Sequence, residues 1–137
     1  MKVLVPTDGS SHSMKAVARA LELAEQQGAQ VTLMTVAYFG GDYLEEMPPN
    51  IREKLGDEAR ATLNKAKAVF DAKGVKVETV LATGLMPANL IILKAQEGKF
   101  DRIILGSTGM NPLEKVLMGS TAAKVVAHAP CEVTIVR

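Results

Sequence analysis

Apolar and polar positions change rhythm nine times along this chain, alternating between short continuous apolar runs and stripes of helical period. Lys2 to Thr7 is an apolar, β-branched run closed by Asp8-Gly9-Ser10, the pattern of a buried strand ended by a turn. The period then lengthens. Met14, Val17, Ala18, Leu21 and Ala24 share one helical face, with Ser11 or Ser13 as the capping hydroxyl and Gly28 as the stop. A second strand is predicted over Gln30 to Ala37. Tyr38 to Asn50 is the one long irregular stretch, with Gly40, Gly41 and Pro48-Pro49. Asn50 and Glu53 have capping-box spacing and open a long helix. Its stripe is Ile51, Leu55, Ala59, Leu63, Ala66 and Phe70, and Gly74 ends it.

Val75 to Leu81 alternates as a third strand does. Pro87 suits the first position of a helix that carries Leu90, Ile91 and Lys94 and runs to Gly98. Asp101 to Leu105 reads as a fourth strand, about Ser120 to His128 as a last helix, and Cys131 to Val136 as a closing strand. Repeated strand–helix–strand units predict a parallel sheet with helices on both faces and right-handed crossovers. Ligands of such sheets bind beyond the carboxyl ends of the strands, where the strand order reverses. Asp8-Gly9-Ser10 follows the first strand and Gly106 to Gly109 the fourth. If those strands are neighbours, both motifs face one crevice.

Bulk properties narrow the function classes. The 137 residues read as one domain spanning 1–137, and such a chain buries roughly two-thirds of its unfolded surface. Sixteen basic against 15 acidic residues give a net charge of +1, which predicts neither a nucleic-acid groove nor a polybasic membrane patch. Aromatic residues are 4% and tryptophan is absent, which argues against a base-stacking platform. The single cysteine, Cys131, cannot form an internal disulfide, so a reducing, cytoplasmic setting is expected. No apolar run approaches a membrane span. Neither His12 nor His128 has acidic or thiol neighbours at metal-ligand spacing, and both read as surface or helix-end residues.

The most specific feature is Gly106-Ser-Thr-Gly109, then nine residues, then Gly119-Ser120-Thr121. The first pair of glycines ends an apolar strand and the third opens a helix. Backbone N–H groups exposed at a strand end and a helix start attract phosphate, and a glycine lets an anion approach the main chain. Taken one at a time, the same glycines are ordinary turn residues. Lys115, inside the nine-residue segment, could reach a phosphate or simply stay solvated. Asp8 could contact a ligand or cap the first helix.

The spacing Gly106, Gly109, Gly119, Ser120 resembles the signature of the nucleotide-binding branch of the universal stress protein family. Val3 to Ser10 resembles that family's opening strand and loop, Val31 to Val36 its second strand, and Pro130 to Val136 its closing one. The resemblance covers nearly the whole chain. It departs at Thr108, where many members carry a basic or imidazole residue, and at Gly84-Leu-Met-Pro87, one residue longer than usual. The expected fold is a five-stranded, parallel, doubly wound Rossmann-like sheet in the order 3-2-1-4-5. What the resemblance implies is a stress-response or regulatory protein binding ATP or another adenine nucleotide. Pro6 and Thr7 would line the base side, and Val36 would contact adenine. Asp8 would lie beside the ribose or beside a magnesium ion carried on the phosphates, with no metal held by the protein alone. Leu105 and Gly106 would hold the sugar and first phosphate. Ser107, Gly109, Gly119, Ser120 and Thr121 would surround the phosphate chain. A homodimer through the strand Cys131 to Val136 is also implied.

No Gly-x-x-x-x-Gly-Lys-Ser/Thr loop occurs, and no arginine finger or placed base for water is recognisable. Binding without fast hydrolysis is therefore expected. The alternatives are a small ATP-cleaving enzyme of the adenylating, pyrophosphate-loop type, suggested faintly by Asp8-Gly9-Ser10-Ser11, or a slow ATPase. A phosphoryl-accepting receiver domain lacks its acidic cluster and its acceptor after the third strand. A flavin carrier rests on fold analogy alone.

Overall fold

The computed structural model describes residues 1–37, 48–107 and 118–137. Five parallel strands form one sheet: β1 (Lys2–Pro6), β2 (Gln30–Ala37), β3 (Glu78–Thr83), β4 (Arg102–Gly106) and β5 (Glu132–Val136). Their order is β3-β2-β1-β4-β5. The connecting helices are α1 (Ser11–Gln27), α2 (Pro49–Asp71), α3 (Pro87–Glu97) and α4 (Ser120–His128). The expected α/β architecture and strand order are thus present, and β1 and β4 are neighbours.

The pleat sorts the core into two layers, because alternate strand residues point to opposite faces. Val3, Val5, Val31, Leu33 and Ile104 face one way and pack on Ala16, Val17 and Ala20 of α1 and Leu63, Ala66 and Phe70 of α2. Leu4, Met34, Ile103 and Leu105 face the other way and meet Ala88, Ile91 and Ala95 of α3 and Ala122 and Val125 of α4. Both layers are dry at the centre: Leu4, Leu33, Ile103 and Phe70 are fully buried. Each such side chain contributes about 1.5–3 kcal/mol relative to its exposed state. This double coverage explains why the central strands read as unbroken apolar runs rather than alternating ones.

Several local expectations are corrected. The cap of α1 is Ser10, whose side chain accepts the Ser13 N–H at 3.3 Å, not Ser11 or Ser13. Ser13 is instead turned inward and buried. The buried face of α1 runs through Ala16, Val17, Ala20 and Leu21, whereas Ala18 is exposed. The second helix starts two residues early. Pro48 is its cap residue, with no side-chain capping bond, and Pro49 occupies the first turn. Proline loses nothing there, because the first-turn N–H has no helical partner. Asn50 and Glu53 therefore form no capping box. Ile51 is 44% exposed, so the stripe of α2 is buried only further along, from Gly56 and Ala59 to Phe70. The third strand is later than Val75 to Leu81. The Val75 N–H still closes the end of α2 on the Phe70 carbonyl at 3.1 Å, and pairing with β2 begins at Glu78.

Candidate functional site

In a parallel sheet all the strands end on the same edge, so β1 and β4 deliver their following loops side by side. The β1–α1 loop is built by its own side chains. Thr7 leaves β1 with its N–H still on the Met34 carbonyl at 2.8 Å, and it is buried. The Asp8 carboxylate accepts the Ser10 N–H at 2.9 Å, the Asx turn expected of aspartate after a strand. Gly9 has φ +83°, a conformation that glycine adopts without strain. A Cβ on Gly9 would also come within 3.3 Å of the Thr62 methyl of α2. Asp8 thus shapes the turn and leaves the capping of α1 to Ser10.

At the end of β4, Leu105 is buried and Gly106 half-buried. A Cβ on Gly106 would lie 2.6 Å from the His12 carbonyl carbon, 2.7 Å from its oxygen and 2.8 Å from the Ser13 nitrogen. Those are backbone atoms of the first turn of α1, so nothing but glycine lets β4 approach it. Gly106 is thereby required by helix packing, whatever else the loop approaches. His12 lies in this contact as a partly buried residue at the helix start, and its buried Nδ1 has no partner among the described residues.

Ser107 prolongs the β4–β5 ladder, its N–H donating to the Val136 carbonyl at 3.0 Å. The Ser107 carbonyl then accepts the Gly119 N–H at 2.6 Å. One backbone bond therefore joins the two ends of the signature segment. Gly119 is the cap residue of α4, in extended conformation (φ −68°, ψ 166°), and no side-chain capping bond to the helix occurs among the described residues. The Gly119 carbonyl accepts the Ala123 N–H at 2.9 Å, so the helical ladder starts properly. Ser120 is exposed and Thr121 half-buried. An uncapped helix start carries unsatisfied donors and partial positive charge, and it is a place where an anion is stabilised.

The sheet edge therefore assembles Pro6, Thr7 and Asp8 after β1, Leu105, Gly106 and Ser107 at β4, and Gly119, Ser120 and Thr121 at α4. Val36 lies near the end of β2, half-buried and packed against the second core layer. Gly109, Thr108 and Lys115 lie outside the described residues. No group of three His, Cys, Asp or Glu that could hold a metal occurs among the described residues. The loop ahead of α3 has Gly84 at φ +159°, where a Cβ would lie 2.7 Å from a Leu90 methyl carbon. That atom is the end of a flexible side chain, so the contact alone does not demand glycine ahead of Pro87. Sequence reasoning missed the roles of Ser10, Ser13 and Thr35. The visible signals were Ser10 and Ser13 at capping spacing and a threonine inside the apolar run Leu33 to Ala37. A shallow groove elsewhere runs between α3 and α4, lined by Ile92, Leu93, Gln96, Lys124 and His128.

Comparison with known proteins adds an independent line. The family model described as the Universal stress protein family matches residues 1–137. Universal stress protein MJ0531 of Methanocaldococcus jannaschii is 36% identical over 139 residues, covering 99% of this chain and 81% of the relative. The structure of the hypothetical protein MJ0577 superposes with a TM-score of 0.86 at 27% identity, covering 98% of this chain and 94% of that one. A universal stress protein crystallised in complex with cAMP gives a TM-score of 0.77 at 27% identity, covering 100% of this chain and 97% of that one.

Proposed function

The chain belongs to the universal stress protein family, and from that premise we propose that it binds an adenine nucleotide across the carboxyl ends of β1 and β4 and acts as a regulatory, stress-response protein. The observation that carries this reading is the junction of Ser107 with Gly119 at 2.6 Å beside the uncapped start of α4. A structural neighbour in complex with cAMP supports the choice of an adenine nucleotide. The phosphates fall to Gly106, Ser107, Gly109, Gly119, Ser120 and Thr121; the Ser107 and Gly119 N–H groups are already bonded to backbone carbonyls, so the helix-start donors assigned to the anion are those of Ser120 and Thr121. Pro6, Thr7 and Val36 take the base side. Leu105 and Gly106 hold the sugar and first phosphate. Asp8 takes the ribose or a magnesium ion that arrives on the phosphates, since one of its oxygens is already committed to the Ser10 N–H.

A site that grips a nucleotide equally in its ground and transition states does not raise turnover, and the sequence offers no recognisable arginine finger or placed base for water. The site is therefore a sensor of occupancy by ATP or another adenine nucleotide, with at most slow hydrolysis. A second copy pairs through β5, which ends the sheet order and presents a strand edge of the kind that invites pairing. Isothermal titration with ATP, AMP and cAMP tests the binding reading. Saturable binding at one site per chain is expected, and heat indistinguishable from dilution for all three would end it. Sedimentation at micromolar concentration tests the dimer, and a strict monomer would exclude it.

A further inference from the structure

Beneath the β1–α1 loop lies a set of almost wholly buried hydroxyls. Thr35, in β2, is 4% exposed, and Thr7 and Ser13 are each 5% exposed. Burial of a hydroxyl is tolerated only when it is hydrogen-bonded, and each of these is. The Thr35 hydroxyl donates to the Thr7 carbonyl at 3.0 Å. The Ser13 hydroxyl donates to the Ser10 carbonyl at 3.0 Å, which uses its only proton. In the 2.8 Å contact between Thr7 Oγ1 and Ser13 Oγ, Thr7 is therefore the donor. Thr7 Oγ1 in turn accepts the Gly9 N–H at 3.2 Å. The bonds run head to tail, from the Gly9 amide through Thr7 and Ser13 to the Ser10 carbonyl. Such a chain polarises its members and strengthens each bond.

We infer that Ser13 and Thr35 are positioning residues: they touch no ligand, but their hydroxyls fix the loop that presents Thr7 and Asp8. This inference rests on the reading that the loop contacts an adenine nucleotide. The logic is pre-organisation. A loop of four residues containing a glycine is costly to order, and ordering it at the moment of binding costs affinity. Here the ordering is done in advance from below, by side chains on two different elements. The Thr35 bond is the longer-range link, because it ties the Thr7 carbonyl to β2, which carries Val36 next in sequence. One buried hydroxyl thus adds a side-chain link, from the strand proposed to contact adenine, to the backbone bond that already joins the Thr7 N–H to the Met34 carbonyl. The arrangement also explains a threonine within an otherwise apolar strand segment.

The test compares Thr35→Val, which keeps the shape and deletes the hydroxyl, with Thr35→Ser, which keeps the hydroxyl. Ser13→Ala is the second site. AMP affinity is measured by titration calorimetry, well below each variant's melting temperature. Exchange of the Gly9 and Ser10 amides in the free protein is followed by NMR. Thr35→Val and Ser13→Ala should each weaken AMP binding about tenfold, the scale of one lost hydrogen bond. Both should speed exchange of the two loop amides while leaving the β1 and β4 core amides protected. Thr35→Ser should restore affinity to within about twofold. If wild type binds AMP and Thr35→Val binds it equally well, or if Thr35→Ser fails to rescue, the positioning role is wrong. If wild type binds none of AMP, ATP and cAMP, the nucleotide reading fails instead. The exchange rates then decide the hydroxyls alone: unchanged protection in Thr35→Val overturns their role, and faster exchange upholds it.

Discussion

Two loops leave the same edge of this sheet and solve the same problem in opposite ways. The loop after β1 satisfies itself. Its aspartate closes the turn, its serine caps the helix and its hydroxyls fill the space beneath. After β4, the start of α4 has no side-chain cap among the described residues, and one backbone bond joins Ser107 to Gly119. A self-satisfied loop gains stability and shape. An unsatisfied helix start forgoes stability and keeps donors in reserve for an anion. The contrast teaches where to look for function: at the terminus that a stability argument alone would have capped.

The largest expected effect lies where the two regions touch. Gly106→Val drives a Cβ into the His12 and Ser13 backbone at distances of 2.6–2.8 Å, below any real Cβ contact. Neither β4 nor the first turn of α1 can yield without disturbing both core layers, so a loss of about 3 kcal/mol or more is expected. Urea unfolding measures it. A loss under about 1 kcal/mol would show that the approach is softer than drawn and that glycine is there for the ligand alone. Next comes the capped side of the comparison. Ser10→Ala removes the acceptor for the Ser13 N–H and should cost about 1 kcal/mol. An unchanged unfolding midpoint would mean the cap contributes nothing.

The uncapped side predicts the reverse sign. Gly119→Asp is compatible with the observed backbone, φ −68° and ψ 166°, and supplies the missing cap. It should raise stability by about 0.3 kcal/mol. The same carboxylate would occupy and repel the position assigned to phosphate, so AMP affinity should fall about tenfold or more. A variant that became more stable and still bound AMP as tightly would place the phosphate elsewhere and dissolve the contrast between the loops.

The comparison also shows what was legible beforehand. Strand runs such as Lys2 to Pro6 and Gln30 to Ala37 were readable because burial on both faces leaves an unbroken apolar signature. The glycine spacing around 106 and 119 was readable because helix-start and strand-end chemistry are local. Three things were not readable in the same way. The true neighbour of Gly106 is a backbone nearly a hundred residues earlier, and no spacing rule reports such a contact. The donor of the Thr7 carbonyl is on β2, which only the sheet order brings beneath the loop. Capping by Ser10 rather than Ser11 or Ser13 turned on which hydroxyl the core buries, and that is settled by packing. Asn50 and Glu53 had capping spacing, yet Pro49 starts the helix two residues before it can operate.

The smallest expected effect belongs to the opposite edge, which serves as the control for both loops. Cys131 precedes β5 and so lies at the amino ends of the strands. Burial, and then the carboxylates of Asp101 and Glu132, hold its thiol above the ordinary value of 9.0. The folded state therefore keeps a proton that the unfolded chain releases. By linkage, the contribution of this thiol to stability is constant below pH 9.0 and is lost as pH rises through the raised folded value. Cys131→Ala should flatten that alkaline decline, as read from melting temperatures across the alkaline range in wild type and variant. At neutral pH the thiol should also react slowly with iodoacetamide, since the thiolate is the nucleophile. AMP affinity of Cys131→Ala should match wild type, because the donors assigned to the nucleotide stand at the other end of the sheet. A loss of affinity in that variant would mean that the two edges communicate. The division of labour argued here, in which the carboxyl edge alone answers to ligand, would then be wrong.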